Sequence, residues 1–349
     1  MSSLPRSPDY FIAKLRELHL AIRNRIIEER MQVPKDQLTA VYEREGDTAF
    51  GVDLASEELL LEFCEGWSQE LPLILIAEGL PERGWQCFPS TCNCEDAEFI
   101  LIVDPIDGSR EIMYDKRSAW VLSGIAPNRG IDTRLSDIEI AMQTEIPTTR
   151  QYLADTLWAV RNCGVHAERC NLLTGDVQSY TPQPSVATTL RHGFAMLSKF
   201  FPAGKQLLAW LEEELVRRLL GECEIPLTFD DQYISTAGQL YELIIGHDRF
   251  NADLRPLVFK ALELPDDETP LCAHPYDLCT ELIAREAGVI VTDEKGMQLN
   301  APLDVRANVS WIGYANETLR KQIEPVLHEL LTQLPEVAKT LPVIPISRR

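Results

Sequence analysis

The sequence predicts a mixed protein of the α/β or α+β class. Two short apolar runs, residues 73–77 and 100–103, have the length and the Ile, Leu and Val content of strands buried on both faces. Stretches at 12–26, 54–63 and 207–220 repeat apolar residues at helical spacing with charges between them. Each apolar run is followed by a carboxylate, Glu78 and Asp104, and neighbouring strands would bring both ends to one sheet edge.

With 349 residues, 45% hydrophobic and 25% charged, the chain can bury a sizeable core as one large domain or two joined halves. Its net charge of −21 argues against nucleic acid as a partner. No apolar run approaches the length of a membrane span. Nine cysteines, scattered and odd in number, predict reduced thiols. The first residues carry Arg6, Asp9 and Lys14 and no apolar segment, so the expectation is a cytoplasmic protein without a secretory signal.

In chain order, Ser7 and Pro8 read as the N-cap and first position of a helix of about five turns, with Ile12, Leu15, Ile22 and Ile26 on its apolar stripe. Asp53 reads as the N-cap of the helix at 54–63. Cys87, Cys92 and Cys94 lie in the connection between the two apolar strands. They read as unliganded thiols, because no fourth Cys or His follows at metal-ligand spacing.

The central motif is Asp104-Pro105-Ile106-Asp107-Gly108-Ser109. Two carboxylates where a buried strand meets a turn are costly without compensation. Mg²⁺, which takes oxygen ligands and often only one or two carboxylates plus phosphate and water, would compensate them. Gly108 lets the backbone approach a ligand, and the amides of Gly108 and Ser109 would face an anion if a helix starts there. A plain Asp-Pro/Asp-Gly turn explains the motif taken singly.

Further strands are expected at 120–126, 139–144 and 156–161. The composition turns loop-like around Pro182, which divides the chain into an N-terminal half at 1–182, a C-terminal half at 183–335 and a frayed tail at 336–349. Helices are expected at 207–220 and 239–245 and a short strand at 250–253. Asp277 reads as opening a helix that Gly288 ends, with a strand directly after it. A last helix is expected from Asn316 to about Leu331, kinked or broken at Pro325.

Caps and turns explain each carboxylate separately but not their ordered set. Asp53 ahead of a helix, strand-terminal Glu78, the Asp104–Ser109 motif, and Tyr276-Asp277 ahead of Glu286-Ala287-Gly288 together resemble one family. It is the inositol monophosphatase-like branch of the lithium-sensitive, metal-dependent phosphatases, with fructose-1,6-bisphosphatases and bisphosphate nucleotidases. The resemblance spans about residues 10–330. It implies a layered αβαβα sandwich of the sugar-phosphatase type, and a homodimer or homotetramer. It implies Glu78, Asp104, Asp107, Asp277 and the Ile106 carbonyl as ligands of two or three Mg²⁺ ions. Asp53 and Ser109 match the pair that orients and activates the attacking water, which Glu78 also holds. The amides of Gly108 and Ser109 match the phosphate cradle. Ser235, Thr236, Ala237 and Asp253 fall where the family contacts the non-phosphate part of its substrate. The implied activity is hydrolysis of a small sugar, inositol or related metabolite phosphate.

The departures concern substrate more than reaction. Gly79 stands where a second acidic residue is common, Tyr276 where Trp is usual, and Leu278 and Cys279 where small residues are usual. Arg110 and Glu111 resemble the bisphosphate nucleotidase branch, and Ser109 the fructose-bisphosphatase branch. The alternatives are therefore a 3′(2′),5′-bisphosphate nucleotidase and, from another class, a metal- or metabolite-binding pseudoenzyme acting through a protein partner. Residues 254–274 read as an insertion on the substrate side, able to form a lid.

Overall fold

The computed structural model describes residues 4–32, 42–44, 47–49, 51–80, 84–222, 225, 227–265 and 271–341; for residues 32, 42–44, 47–49 and 51–55 it describes the backbone alone. The chain opens with α1 (Pro8–Gln32), the ribbon β1 (Tyr42–Arg44) and β2 (Asp47–Ala49), and α2 (Gly51–Ser68). There follow β3 (Leu73–Ala77), β4 (Trp85–Phe88), β5 (Phe99–Asp107), the single-turn α3 (Ser109–Met113), β6 (Ala119–Pro127), β7 (Ile140–Ile146), β8 (Leu153–Val160), β9 (Val165–Asn171) and β10 (Val177–Tyr180). These strands form an eight-stranded sheet in the order β10-β9-β8-β7-β6-β5-β3-β4. Within it β3 and β5 are parallel neighbours and every other pair is antiparallel.

The chain changes sheet between Tyr180 and Gly193. The second part comprises β11 (Gly193–Leu197), α4 (Lys205–Leu220), β12 (Thr228–Phe229), α5 (Thr236–Ile244), β13 (Asp248–Asp253), α6 (Arg255–Ala261), α7 (Glu281–Glu286), β14 (Ile290–Thr292), β15 (Trp311–Tyr314) and α8 (Glu317–Thr340). Its five strands run in the order β12-β11-β13-β15-β14. Helices α1 and α2 cover one face of the large sheet, α5 and α7 lie between the sheets, and α4, α6 and α8 cover the far face of the small one. The result is the αβαβα layering that the resemblance implied. None of the described helices is long and apolar enough to cross a membrane.

The two carboxylate-terminated strands sit inside this stack. In β3 and β5, Leu73, Leu75, Phe99, Leu101 and Val103 pack with Phe11, Leu15 and Trp67 of the outer helices, while Ile74, Ile76, Ile100 and Ile102 join the core between the sheets. Burial on both faces explains the unbroken apolar runs. Each such side chain contributes about 1.5–3 kcal/mol on burial.

Several boundaries differ from the sequence reading. Helix α1 has 25 residues rather than five turns. Helix α2 starts at Gly51, which puts Asp53 inside its first turn rather than at its cap; the Asp53 side chain lies outside the described residues. Asp277 lies in turns ahead of α7, which begins only at Glu281. Helix α8 passes through Pro325 and Pro335 to Thr340, where an end near Leu331 and a frayed tail were expected. Buried Leu327, Leu330, Leu334 and Ala338 hold it against the core, which offsets the roughly 3 kcal/mol that an interior proline costs. Of the expected lid, α6 instead packs into the outer helical layer through Val258 and Phe259; residues 266–270 lie outside the described set.

The cysteine reading also needs correction. Cys87 and Cys94 form a disulfide, with Cα atoms 5.7 Å apart. Strand β4 pairs antiparallel with β3 in the register Leu73↔Phe88, and the chain after it curls back before entering β5. The return of the chain after β4 brings together two residues that sequence spacing alone did not pair.

Candidate metal and phosphate site

The site is built where β3 and β5 end. Their parallel register pairs Ala77 with Val103, so Glu78 and Asp104 leave the sheet at the same edge. Strand β5 continues through the motif, with an irregularity between Asp104 and Asp107 that lets both carboxylates face the same side. The Ile106 amide donates to Asp104 Oδ1 at 2.9 Å, closing a tight turn. Gly108 follows with φ of 99°, a left-handed conformation suited to glycine, and caps α3. A Cβ there would approach the Ser235 Cβ to 3.3 Å. Ser109 Oγ donates to the Ile106 carbonyl at 3.0 Å, leaving that oxygen one further lone pair.

Across the cavity the second half supplies the rest. Asp277 arrives in the turns before α7, and its Oδ2 accepts from the His274 amide at 2.6 Å. One carboxylate oxygen each from Asp104, Asp107 and Asp277 lies within 4.8 Å of the other two. Glu78 is exposed on the wall of the same cavity of about 300 Å³. It is near enough to Asp104 and Asp277 to raise both of their pKa values.

Electrostatically the cluster is unfavourable as it stands. Burial, and then Asp107, Glu78 and Asp277, push the Asp104 carboxyl well above its ordinary range. Burial and Asp107 do the same to Asp277, against the pull of the His274 amide. Asp107 is pushed up to about 6 by burial, with hydrogen bonds from the 235–237 segment opposing. A divalent cation would relieve this repulsion. Every donor in the cluster is a carboxylate oxygen, with no imidazole or thiolate, so the residues fit a hard cation such as Mg²⁺.

The residues expected to contact substrate are placed differently from one another. Ser235 Oγ and the Ala237 amide donate to Asp107 Oδ2 at 2.9 and 2.6 Å, so the start of α5 holds a cluster carboxylate. Ser235 also caps α5 by accepting from the Gly238 amide. Thr236 lines the cavity. Asp253 is buried behind the wall, where both of its oxygens accept from Arg255, Oδ1 from Nε at 2.8 Å and Oδ2 from Nη2 at 2.5 Å. Arg255 itself faces the cavity, and the sequence reading did not single it out. The Asp-x-Arg spacing was visible but carries no signal by itself.

Glu57 of α2 was also missed. A Cβ on Gly79 would lie 2.0 Å from its Oε1, so this carboxylate fills the space that a side chain at 79 would need, and it lines the cavity. The gap noted at Gly79 is thus occupied by an acid from another element.

No protein-family model matches the chain, and no curated protein matches it in sequence. Solved structures do match. The Thermotoga maritima IMPase is 13% identical, covers 94% of this chain and 100% of its own, and superposes with a TM-score of 0.59. The extragenic suppressor protein SuhB of Bartonella henselae is 15% identical over 90% of this chain and 97% of its own, with a TM-score of 0.60. The fructose-1,6-bisphosphatase of Leishmania major is 14% identical over 93% of each chain, with a TM-score of 0.61. The chain has the fold that these inositol monophosphatase and fructose-1,6-bisphosphatase structures share.

Proposed function

We propose that the protein is a Mg²⁺-dependent phosphomonoesterase acting on a small phosphorylated metabolite. The observation that carries this reading is the convergence of three carboxylates, two buried and one half-buried, at the floor of a cavity, beside the turn that opens α3. Asp104, Asp107 and Asp277 would hold the metal, with Glu78 and the Ile106 carbonyl completing its oxygen ligands. Bound Mg²⁺, two or three ions in this reading, supplies charge neutralisation for the phosphoryl group and a water acidic enough to attack it. The amides of Gly108 and Ser109 orient the phosphate. Glu78, Ser109 and Asp53 position the attacking water, and one of the two carboxylates, Glu78 or Asp53, takes its proton. The start of α5 keeps Asp107 from swinging away, through the two bonds to its Oδ2. The fold neighbours, named as an IMPase and a fructose-1,6-bisphosphatase, support a small metabolite phosphate, of a sugar, inositol or related class, as the substrate. A homodimer or homotetramer is part of the same proposal.

The test is phosphate release from inositol 1-phosphate, fructose 1,6-bisphosphate and 3′-phosphoadenosine 5′-phosphate, each with and without Mg²⁺. Release from at least one, abolished by chelation, is the expected result. Folded, Mg²⁺-binding protein that releases phosphate from none of them or from a generic aryl phosphate would overturn the reading and leave a metal-binding protein without hydrolase activity.

A further inference from the structure

Resting on the phosphatase reading, we infer that the cavity selects a phosphate monoester whose alcohol part is a flat, unsaturated ring, in preference to an open polyol. Of the four residues expected to recognise hydroxyls, three are already engaged. Both oxygens of Asp253 are held by Arg255, while the Ser235 hydroxyl and Ala237 amide are held by Asp107. Two aromatic side chains face the cavity on that side. Phe200 and Phe201 follow β11, are half-buried, and line the cavity with their rings 6.1 Å apart at 75°.

Cationic groups, which also line the cavity, lie against these rings. The Arg255 guanidinium lies 4.9 Å from the Phe200 centroid and 5.7 Å from that of Phe201, and Arg110 lies 5.2 Å from Phe201. Arg255 is locked by Asp253 and by the Leu271 carbonyl, so it gives the rings a fixed support. Arg110 is the residue after Ser109, which ties the aromatic wall to the turn beside the carboxylate cluster. A second flat surface is the His274 ring, stacked on Tyr276 at 5.4 Å. A ring laid against these faces gains offset or edge-to-face contact. A polyol laid against these faces would lose water from its hydroxyls and gain no hydrogen bond from the rings. A volume of about 300 Å³ suits one ring system with its phosphate.

The experiment compares benzyl phosphate with cyclohexylmethyl phosphate, two primary-alcohol esters of similar size and leaving-group acidity that differ in flatness. Inositol 1-phosphate is the polyol control. The expected result is a kcat/KM about threefold to tenfold higher for the benzyl ester than for its saturated twin, and a still lower value for inositol 1-phosphate. In Phe200→Leu and Phe201→Leu, which keep apolar bulk and remove the flat face, the benzyl-to-cyclohexylmethyl ratio falls towards one. A ratio taken within one variant does not depend on the fraction of active protein. Adenosine 3′-phosphate distinguishes a nucleoside from a simple aryl source of the ring. Binding of benzylphosphonate and cyclohexylmethylphosphonate by calorimetry with Mg²⁺ gives a readout free of turnover. Tighter binding of the benzyl compound without phosphate release from any ester would sink the phosphatase reading and keep the ring preference. Equal handling of the two by the parent protein, or a ratio unmoved in both Leu variants, would overturn the inference.

Discussion

Asp107 carries two opposed demands. Its Oδ2 is fixed by Ser235 and Ala237, and its carboxylate faces Asp104 and Asp277 inside the protein. Asp107→Asn keeps the shape and the two accepted hydrogen bonds and removes one of the clustered charges. We expect phosphate release to fall by at least about a hundredfold, the scale lost with a group that positions transition-state charge. The metal-free variant should melt higher than the metal-free parent, because repulsion among buried carboxylates is relieved. A variant within a few-fold of parental activity would remove Asp107 from the metal site. The pH dependence has a definite sign. Without metal, the Asp107 carboxyl in the folded protein titrates near 6 against an ordinary 3.8. The folded state therefore binds more protons than the unfolded state between these values. This carboxyl therefore costs the metal-free protein stability as pH rises from about 4 through 6, and Mg²⁺ should cancel that cost at pH 7. Melting curves at pH 4.5, 6 and 7.5 with and without Mg²⁺ would show it. A gain in stability from Mg²⁺ that does not grow between pH 4.5 and 7.5 would mean that the carboxylates are not mutually destabilising.

At the scale of elements, two ends meet at the site. The paired ends of β3 and β5 were legible in the sequence because strands buried on both faces give unbroken apolar runs, and a terminal carboxylate on each run is conspicuous. The contribution of α5 was not. Sequence reading placed Ser235 only at the substrate side; in the fold it caps α5, and the same hydroxyl also fixes Asp107, a contact between residues 128 positions apart. Ser235→Ala should cost about 1–2 kcal/mol through the lost cap, and should also weaken Mg²⁺ binding measured by titration. Ser235→Thr restores the hydroxyl and should recover both. Weakened capping with unchanged metal affinity would confine Ser235 to a structural part. Glu57 was hidden for a related reason, since its place against Gly79 depends on how α2 crosses the end of β3. Gly79 has φ of 88°, and an added Cβ would collide with Glu57 Oε1. Gly79→Ala is expected to destabilise by about 1–3 kcal/mol from backbone strain and displacement of that carboxylate. A melting temperature equal to the parent's would show that Glu57 moves away freely.

Over the whole molecule, the layers explain what sequence reading reaches and where it stops. Helices and buried strands follow from local periodicity, whereas the disulfide, the course of α8 past Pro335 and the buried polar contacts depend on which layers face each other. His19 is the clearest case. On the sequence it is one polar residue inside an apolar helical pattern. In the fold it lies fully buried where α1 crosses β6 and β7, with its ring nitrogens 3.0 Å from Thr144 Oγ1 and 2.7 Å from Ser123 Oγ. Burial, and secondarily Arg16, lower its pKa from 6.5 to about 3, so it stays neutral in the folded protein while the unfolded chain takes up a proton below 6.5. His19 thus supports the fold above pH 6.5, and this support fades towards pH 3 at about 1.4 kcal/mol per pH unit per proton. The metal-free carboxylates act with the opposite sign over much of the same window, so the pH profile of the parent alone would blur both. The difference between parent and His19→Gln separates them, because the carboxylate contribution is common to both proteins and the two sites share no partner. Denaturant unfolding from pH 7.5 to 4 should show the variant less stable than the parent at pH 7.5, through incomplete pairing of Ser123 and Thr144, with the gap narrowing as pH falls below 6.5. A gap constant across that range would mean that His19 takes up a proton in the folded protein as readily as in the unfolded chain, and that the contact between α1 and the large sheet opens to water.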